Sequence, residues 1–335
     1  MPPFLIFLPV RNGGHYVAAA IESVLAQSHG DWRLLILENG SIDGTPAVLE
    51  RYCDRRISVI SAAEPLPIYG NWHRALAYLE EVDAQEEIVA FLGHDDLFYP
   101  DFLRDIAVLA AVEPDATIYQ TLFDLINENG AVIRPCRPVP AREGWHGVLE
   151  ALCWGIRDSF GTGYAFRARD YRAIGGIPDL PRLLYADHLM VTRATARGGK
   201  ACTGSIAAGY RLHRGSASGA ISVDRYEAEA EALSMFAAAI LDEFPTFLDQ
   251  DGGRAAFASL LARGTFALGT PAVYKRLSPA NRRQVDELVA LFPHYARGVA
   301  ADAMVGPPIY SSRLILQLRR ANQTLGIWKQ RLRRR

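Results

Sequence analysis

The first third of the chain alternates short apolar runs with segments in which apolar residues recur every three or four positions. Phe4–Val10 is a continuous apolar run that ends at a polar, glycine-containing loop, and this pattern predicts a buried strand. Between His15 and Ala26 the apolar residues share one helical face, which predicts an amphipathic helix. The same two patterns predict further strands at Trp32–Leu37, Ile57–Ile60 and Ile88–Leu92, a helix that ends at Tyr52 and another over Tyr69–Val82.

Strands that alternate with helices of this length predict an α/β fold, in which a Rossmann-like, mostly parallel sheet is flanked by helices. From about Ala116 the pattern becomes more mixed, and after Asp224 the chain is rich in alanine and leucine, which predicts helices to its end. We therefore expect residues 1–115 and 116–224 to form two parts of one α/β domain, and residues 225–335 to form a C-terminal helical region. Ligands of such sheets bind at the carboxyl ends of the strands, and polar residues cluster at those ends in this chain.

Composition excludes several other classes of protein. Half of the 335 residues are hydrophobic and 22% are charged, which is enough apolar material for a large folded core. No apolar stretch approaches the roughly 18–20 residues of a membrane-spanning helix, and the first residues lack a basic leader. The four cysteines form no C-x-x-C pair, which favours a reducing compartment over a disulfide framework or a zinc site. These features predict a cytoplasmic protein, either soluble or peripheral at the inner face of the cell membrane.

Charge is unevenly distributed along the chain, although the net charge is only −1. Residues 312–335 contain eight basic and no acidic side chains, so the remainder of the chain carries −9. A body this acidic argues against nucleic-acid binding, because no basic face is available to neutralise phosphates. From Leu314 to Leu332 apolar residues recur every three or four positions, which predicts a basic amphipathic helix that includes Trp328. Such a helix can lie on an anionic membrane or pack on protein, and the sequence favours neither.

Two strand ends carry candidate binding groups. The loop Pro9–Gly14 leads directly into a helix, so its backbone amides and the helix N-terminus can face an anion. This loop lacks the G-x-G-x-x-G fingerprint of nicotinamide enzymes. Glu38 closes the next strand, where its carboxylate can accept from the ring N–H of a uracil or guanine. The alternative is that Glu38 and Asn39 only shape the turn.

The strongest local signal is a buried strand that ends in two adjacent carboxylates, Asp95 and Asp96. Hard oxygen ligands on a rigid strand end suit Mg²⁺ or Mn²⁺, and such an ion can bridge two phosphates. The alternative is that one carboxylate caps the following helix, but two are more than a cap requires. The sequence therefore predicts a divalent metal site at the end of this strand.

Three motifs, in this order, resemble those of the family 2 glycosyltransferases. They are Pro-Val-Arg-Asn-Gly at 9–13, Leu-Glu-Asn-Gly-Ser-Ile-Asp-Gly-Thr at 37–45 and Leu-Gly-His-Asp-Asp at 92–96. The resemblance covers about residues 4–220 and implies the GT-A fold. It also implies inverting transfer of a sugar from a nucleotide diphosphate donor, with a UDP-sugar as the first expectation. It also implies that residues 1–115 bind the nucleotide sugar, and that residues 116–224 bind the acceptor and supply the catalytic base.

The resemblance further assigns roles to single residues. It makes Asp187, in the segment Leu184–His188, the general base that takes the proton of the acceptor hydroxyl. Without the resemblance, Asp187 would be interpreted as the cap of a helix and His213 as a surface residue. The resemblance makes Asp95 and His213 metal ligands, and the adjacent carboxylate of Asp96 is the third candidate. The implied donor-binding residues are Pro9, Arg11, Glu38, Asn71, Arg74, Asp95 and either Arg211 or Arg214.

The chain departs from the family pattern at three positions. The family usually has aspartate where Glu38 stands, and the longer side chain is expected to alter base recognition. Its acidic D-x-D triplet aligns with Gly93-His94-Asp95, so the first carboxylate is missing. Either Asp96 compensates for that loss or the ribose contact is absent. The acidic residue that often precedes the catalytic aspartate is replaced here by Ala186.

Together these features predict an inverting glycosyltransferase that uses Mn²⁺ or Mg²⁺, a nucleotide-sugar donor and a glycan or lipid-linked acceptor. The metal and arginines would neutralise the departing nucleoside diphosphate, while Asp187 activates the acceptor in a single displacement. Two alternatives stay open: a GT-A domain that binds nucleotide or glycan without turnover, and a nucleotidyltransferase. The sequence identifies neither the sugar nor the acceptor, and it leaves homo-oligomerisation open.

Overall fold

The structure is a computed structural model that describes residues 2–82, 87–213 and 223–296. The described residues divide into two compact units. The first contains the residues up to Leu149 and those from Arg157 to His213, and the second contains Glu150–Ile156 and residues 223–296. Arg214, the alternative to Arg211 near the phosphates, lies outside the described residues, and so does the tail at 312–335, which is predicted to be an amphipathic helix.

Ten strands form one sheet in the described part of the first unit. They are β1 Phe4–Val10, β2 Trp32–Glu38, β3 Ile57–Ser61, β4 Ile88–Phe91, β5 Leu97–Phe98, β6 Ile118–Ile126, β7 Val132–Pro135, β8 Arg142–Glu143, β9 Tyr164–Arg167 and β10 Lys200–Arg211. The helices between them are α1 Tyr16–Leu25, α2 Thr45–Leu49, α3 Ile68–Glu81, α4 Phe102–Val112, α5 Trp145–Trp154, α6 Ala168–Ala173 and α7 Ala186–Gly198.

The sheet has a parallel half and a mixed half. Its strand order is β3-β2-β1-β4-β9-β6-β10-β5, and the pairs among the first four strands are parallel. β9 runs antiparallel between β4 and β6, whereas β10 pairs parallel with β6. β7 adds to β6, and β8 and β5 both pair antiparallel with β10. The α/β fold predicted from the sequence is confirmed, with the mixed pairing in the region where the sequence pattern became mixed.

Helices cover both faces of the sheet, which is why its central strands are apolar throughout. All seven residues of β1 are buried. Its alternate residues, such as Ile6 and Leu8, pack with apolar residues of α1 and α4. Phe7 points to the other face, where its ring lies 5.9 Å from that of Tyr78 in α3. Each fully buried large apolar side chain contributes about 1.5–3 kcal/mol, so this continuous run fixes β1 at the centre of the fold.

The described part of the second unit is helical, as predicted. It contains α8 Val223–Glu243, α9 Asp251–Leu268, α10 Pro271–Tyr274 and α11 Pro279–Tyr295. The carboxylate of Glu227 in α8 accepts from the Ser278 hydroxyl at 3.0 Å and from the Asn281 side chain, which joins α8 to the start of α11. Across the described residues of both units, no helix combines the length and the apolar character needed to cross a bilayer.

Candidate active site

Three strands of the parallel half of the sheet end at one edge. Val10 of β1 lies beside Glu38 of β2, and Phe7 of β1 lies beside Phe91 of β4. The loop after β1, the turn after β2 and the segment after β4 therefore meet at the same edge. This is the edge at which α/β sheets bind their ligands.

The loop after β1 is joined to the turn after β2 through its backbone amides. The Asn12 N–H donates to Ser41 Oγ at 2.9 Å, and the Gly14 N–H donates to Asp43 Oδ2 at 3.0 Å. In return, Asn12 Oδ1 accepts from the Ile42 N–H at 2.9 Å. Two of the backbone N–H groups that the sequence predicted to face an anion are thus hydrogen-bonded to side chains of the protein.

Glu38 binds the turn that follows it. Its carboxylate is buried and accepts from the N–H groups of Gly40 at 3.1 Å and Ser41 at 2.6 Å. Burial acts to raise the pKa of Glu38, but these hydrogen bonds and the charge of Arg74 outweigh it and lower the pKa overall. Glu38 therefore shapes its turn as an ionised carboxylate, which is one of the two roles that the sequence left open.

Asn71 and Arg74, both predicted to bind the donor, bind backbone carbonyls in this structure. The buried Asn71 donates through Nδ2 to the Leu37 carbonyl at 3.1 Å. Arg74 donates to the carbonyls of Glu38 at 2.9 Å and Ile60 at 2.6 Å, and also to Asn71 Oδ1 at 3.1 Å. Burial lowers the pKa of Arg74, although the charge of Glu38 acts in the opposite direction. These two side chains hold the ends of β2 and β3 beside α3.

Pro9 and Arg11 lie at the end of β1. Pro9 is buried within the strand opposite Leu37, whereas Arg11 is exposed immediately after the strand. Among the residues predicted to bind the donor, all of which are described, Arg11 has the most accessible side chain. It can reach a ligand without giving up a buried contact.

Asp95 and His213 meet where β4 and β10 end. Asp95 Oδ2 and His213 Nε2 are 2.8 Å apart, although the two residues are separated by 118 positions in the chain. The side chains remain 20% and 12% exposed, respectively. The His213 ring also packs against Tyr16 at the start of α1, with ring centres 5.0 Å apart. The structure therefore brings together two of the predicted metal ligands, and a carboxylate oxygen with an imidazole nitrogen suits an ion such as Mn²⁺.

Asp96, the third predicted ligand, is buried and engaged by two other segments. Its Oδ1 accepts from the Arg211 N–H at 2.8 Å, and its Oδ2 accepts from the Thr162 hydroxyl. Burial and the neighbouring charge of Asp95 raise the pKa of Asp96. In the described ranges, no group of three or more His, Cys, Asp or Glu side chains is arranged to hold a metal ion, so Asp96 does not join Asp95 and His213 in such a group.

Arg211, predicted to lie near the donor phosphates, is buried against backbone. Its Nε donates to the Asp95 carbonyl at 2.6 Å, and its Nη1 donates to the carbonyls of Asn127 at 3.0 Å and Glu128 at 3.1 Å. The guanidinium carbon lies 4.8 Å from the centre of the Tyr16 ring, a cation–π contact. Arg211 thus fixes the end of β10 against the segment that carries Asp95.

Gly93 stands where the family triplet has its first carboxylate. A β-carbon at Gly93 would lie 2.8 Å from Asp96 Oδ2 and 3.0 Å from Asp95 Oδ1. The two carboxylates occupy the space that a side chain at this position would need. Glycine at this position therefore makes room for both aspartates, since a larger residue would have to displace one of them.

Asp187 lies in the first turn of α7, and the backbone that leads into this helix is unusual. The N-cap residue is Tyr185, whose backbone is left-handed with φ 62° and whose side chain makes no capping hydrogen bond. Arg182 and Leu183 also have positive φ values, of 55° and 58°. Such conformations cost non-glycine residues energy and persist where surrounding structure imposes them. Asp187 Oδ1 lies 2.9 Å from His188 Nδ1.

β9 connects the two groups of candidate residues. Thr162, just before this strand, donates to Asp96, and Tyr164, the first residue of the strand, is fully buried. Burial raises the pKa of Tyr164, and the charge of Asp187 acts in the same direction. The start of β9 is therefore hydrogen-bonded to Asp96 at the end of β4, and its first residue is influenced by the charge of the carboxylate predicted as the base.

Sequence reasoning missed two residues that hold this site together. Thr162 stands between two glycines just before β9, and a small polar residue in that setting was the available signal. Tyr16, which contacts both Arg211 and His213, opens α1 and has no such signal in the local sequence.

The fold and the site agree with a match to a known family. The sequence profile of Glycosyl transferase family 2 matches residues 5–173, about half of the chain. The chain belongs to this family, as the motifs at its strand ends predicted.

Two similar proteins illustrate the range of relatives. The chain is 27% identical over 127 residues to UDP-Glc:alpha-D-GlcNAc-diphosphoundecaprenol beta-1,3-glucosyltransferase WfgD of Escherichia coli, a match that covers 38% of this chain and 48% of WfgD. It is 30% identical over 136 residues to an uncharacterised glycosyltransferase of Rickettsia conorii, which covers 40% of this chain and 21% of that protein. The chain thus spans less than half the length of either relative.

Solved structures resemble this fold over more of the chain. TarS 1-349 of S. aureus, in complex with UDP-GlcNAc, has a TM-score of 0.63 at 15% identity, and the match covers 88% of this chain and 81% of that one. The mannosyltransferase PcManGT of Pyrobaculum calidifontis, in complex with GDP-Man and Mn²⁺, has a TM-score of 0.52 at 16% identity, covering 87% of each chain. At this level of identity the likeness shows the GT-A fold alone.

Proposed function

We propose that this protein is an inverting glycosyltransferase that transfers a sugar from a nucleoside diphosphate donor to a glycan or lipid-linked acceptor. Membership of family 2 supports the class of reaction. The observation that carries the proposal is the contact between Asp95 and His213. It joins two ligand-type side chains from distant parts of the chain at the edge where α/β sheets bind their ligands.

Asp95 and His213 fit a divalent ion, Mn²⁺ or Mg²⁺. Carboxylate and imidazole are ligands that such ions accept, and donor atoms 2.8 Å apart can both reach one ion. When bound, the ion would neutralise charge on the departing diphosphate. Both carboxylate oxygens of Asp96 are engaged, so we assign Asp96 to holding β10 beside this pair.

Asp187 is the general base in this proposal. As the acceptor oxygen forms its bond to the anomeric carbon, Asp187 takes the hydroxyl proton. The bond from that carbon to the diphosphate breaks, and its electron pair leaves with the nucleoside diphosphate. A single displacement of this kind inverts the anomeric centre and requires no nucleophilic side chain.

We assign the donor to residues 1–115 and the acceptor side to residues 116–224, and we keep 225–335 as the predicted C-terminal helical region. Arg11 is the side chain best exposed to contact the nucleotide. The other proposed donor residues shape the pocket by holding the strand ends, as Glu38 and Arg74 do through their backbone contacts. WfgD is named for a UDP-glucose donor and TarS was solved with UDP-GlcNAc, which supports a UDP-sugar here.

A lipid-linked acceptor is the first class to test. WfgD is named for an acceptor attached to diphosphoundecaprenol. The long hydrocarbon chain of such a lipid favours a bilayer over water. The basic tail at 312–335, with its regularly spaced leucines and Trp328, is suited to the surface of an anionic membrane. We therefore propose that the tail keeps the enzyme beside a lipid-linked acceptor.

The test is release of UDP from UDP-glucose and UDP-GlcNAc, with Mn²⁺ and a synthetic GlcNAc-diphosphate lipid. We expect UDP release that stops with a chelator and falls about 10²- to 10⁴-fold in Asp187→Asn, because a general base contributes that much. Asp115→Asn is the control, since Asp115 is an exposed carboxylate at the opposite end of the sheet.

Other outcomes would identify the alternatives. Release of pyrophosphate instead of UDP would indicate a nucleotidyltransferase. A nucleotide that raises the melting temperature without any turnover would indicate a binding domain, which the incomplete triplet at Gly93 would then explain. Full activity in Asp187→Asn would remove Asp187 from the role of base.

A further inference from the structure

The carboxylate of Asp187 is held by the next residue in the chain. Asp187 Oδ1 and His188 Nδ1 are 2.9 Å apart, and the two side chains are 17% and 23% exposed, respectively. Adjacent residues on a helix point in different directions, so their side chains meet only when both rotamers turn toward each other. This contact is therefore a specific arrangement at the start of α7 and not a consequence of adjacency.

The surroundings of His188 favour that arrangement. The ring lies edge-on to Tyr185, with centres 5.7 Å apart and planes at 72°. Tyr185 in turn has the left-handed backbone that begins α7. The His188 carbonyl accepts from the Thr192 hydroxyl at 2.8 Å, which anchors the residue in the first turn of the helix.

Capping does not explain why Asp187 stands here. The N-cap position of α7 belongs to Tyr185, and Asp187 lies inside the helix, where a carboxylate is not required to cap it. The described contact of its carboxylate is instead with an imidazole. A carboxylate that must accept a proton from a substrate needs one oxygen fixed and the other directed at the substrate.

We propose that His188 is a positioning residue for Asp187, which rests on the proposed function of Asp187 as general base. An ionised carboxylate can only accept, so the proton of this hydrogen bond resides on His188 Nδ1. His188 holds Oδ1 and leaves Oδ2 to take the proton of the acceptor hydroxyl. When the sugar has been transferred, that proton is on Asp187 and the electron pair of the broken bond is on the nucleoside diphosphate.

The arrangement resembles the orientation of one catalytic side chain by a hydrogen bond from another, with the roles of imidazole and carboxylate exchanged. A donor held against the carboxylate fixes the carboxylate rotamer. This effect acts on the chemical step and not on binding of the donor sugar.

Three substitutions separate this role from a structural one. In His188→Asn, the side-chain amide places an N–H close to the position of Nδ1, whereas in His188→Gln the amide lies near the position of Nε2. His188→Ala removes the donor altogether. The assay is UDP release from UDP-glucose or UDP-GlcNAc with Mn²⁺ and the GlcNAc-diphosphate lipid, with kcat and KM measured separately and the melting temperature recorded for each variant.

We expect kcat to fall about 10- to 100-fold in His188→Ala and His188→Gln, as for a misplaced catalytic group, with the KM of the donor unchanged. In His188→Asn most of the rate should return, because its amide restores a donor near the position of Nδ1. Equal activity of His188→Ala and the unsubstituted enzyme, or equal losses in all three variants, would overturn the proposal.

A spectroscopic measurement tests the contact without turnover. Nitrogen-15 shifts of His188, assigned by the signal lost in His188→Asn, should show protonated Nδ1, and Asp187→Ala should shift the ring toward the Nε2-protonated tautomer. An Nε2–H tautomer in the intact protein would overturn the proposal even if the enzyme is active. If no donor is turned over but Nδ1 is protonated, the proposed function fails and the catalytic role of His188 fails with it, whereas the contact itself stands.

Discussion

At the scale of single residues, the charged side chains behind the candidate site bind the protein's own backbone. Arg74 and Arg211 donate to carbonyls at strand ends, and Asp96 accepts from a backbone N–H. Burying a charge without partners is costly, and these contacts supply the partners. The side chains that remain for a ligand, Asp95 and His213, are positioned by this buried set.

Asp96 should tolerate a neutral isostere but not a truncation. In Asp96→Asn the amide oxygen can accept from the Arg211 N–H, and the amide nitrogen can donate to the Thr162 hydroxyl. In Asp96→Ala both groups lose their partner in a buried site. We expect Asp96→Ala to lower the free energy of unfolding by about 1–3 kcal/mol, and Asp96→Asn to change it by less.

Denaturation by urea at neutral pH, combined with the Mn²⁺ dependence of UDP release, checks this prediction. Asp96→Asn should keep its Mn²⁺ dependence, because Asp95 and His213 remain. A loss of Mn²⁺ dependence in Asp96→Asn without a loss of stability would instead restore Asp96 as a metal ligand.

These residue roles divide into those that the sequence could predict and those that it could not. The convergence of the loop after β1, Glu38 and Asp95 follows from the parallel pairing of β1, β2 and β4, which the alternation of strands and helices predicts. The contacts of Arg211 depend on how β10 pairs with β6, and that pairing contains two register shifts between Cys202 and Ala208. The second shift offsets the two strands by one residue and so changes the face to which later side chains of β10 point, and local sequence does not encode it.

At the scale of elements, a buried carboxylate connects β7 to the segment that leads into β9. Asp158 accepts from Arg134 Nη1 at 2.8 Å and Nη2 at 2.9 Å, and from the Arg137 N–H at 2.8 Å. The Asp158 side chain is 7% exposed and that of Arg134 is 41% exposed. Burial acts to raise the pKa of Asp158, but the hydrogen bonds and charges of the two arginines outweigh it and lower the pKa.

The stabilisation from Asp158 should therefore disappear in acid. A carboxyl whose pKa is lowered by folding stabilises the folded state above its unfolded pKa, near 3.8, and loses that effect as pH falls through the lower, folded value. At neutral pH we expect Asp158→Asn to cost about 1–3 kcal/mol, toward the lower end because Arg134 is partly solvated.

The measurement is the free energy of unfolding of both proteins from neutral pH to below pH 3.8. The difference between them should shrink across the acidic end of that range. Asp115→Asn, which changes an exposed carboxylate, should show a small difference at every pH. A constant difference for Asp158→Asn would mean that the ionised form is not what stabilises the contact.

Elements of the parallel half were predicted closely, whereas the mixed half was not. β1 has the predicted bounds, and β2 and β3 each extend one residue further than predicted. The helix predicted through Tyr52 ends at Leu49. Apolar runs predict buried strands throughout the chain. The insertion of β9 between β4 and β6 is instead a long-range pairing, and the four residues of β9 do not predict their partners.

At the scale of the whole molecule, the family match ends in the middle of the chain, whereas the change in charge lies near residue 312. The family profile ends at residue 173, within the first unit, so the helices α8–α11 and the basic tail lie beyond it. The tail contributes eight positive charges and the rest of the chain carries −9. The role of the C-terminal part therefore has to be argued from its own chemistry.

The last prediction concerns that tail. The full chain should sediment with vesicles that contain phosphatidylglycerol and should not sediment with vesicles of phosphatidylcholine alone. Each basic residue near an anionic surface contributes about 1 kcal/mol, so eight of them bind strongly at low salt and weakly at high salt, where charges are screened. Removal of residues 312–335 should abolish sedimentation but leave UDP release from a water-soluble acceptor analogue intact.

Trp328→Ser is the matched variant, because it retains every charge and removes the largest apolar side chain of the tail. It should weaken sedimentation less than the deletion does, and the residual binding should be more sensitive to salt, since only attraction between charges then remains. If the tail instead packs on the acidic body, the deletion will leave vesicle binding unchanged and will lower the melting temperature. In that case the association with a lipid-linked acceptor must arise elsewhere in the chain, and the acceptor class would have to be established independently of the tail.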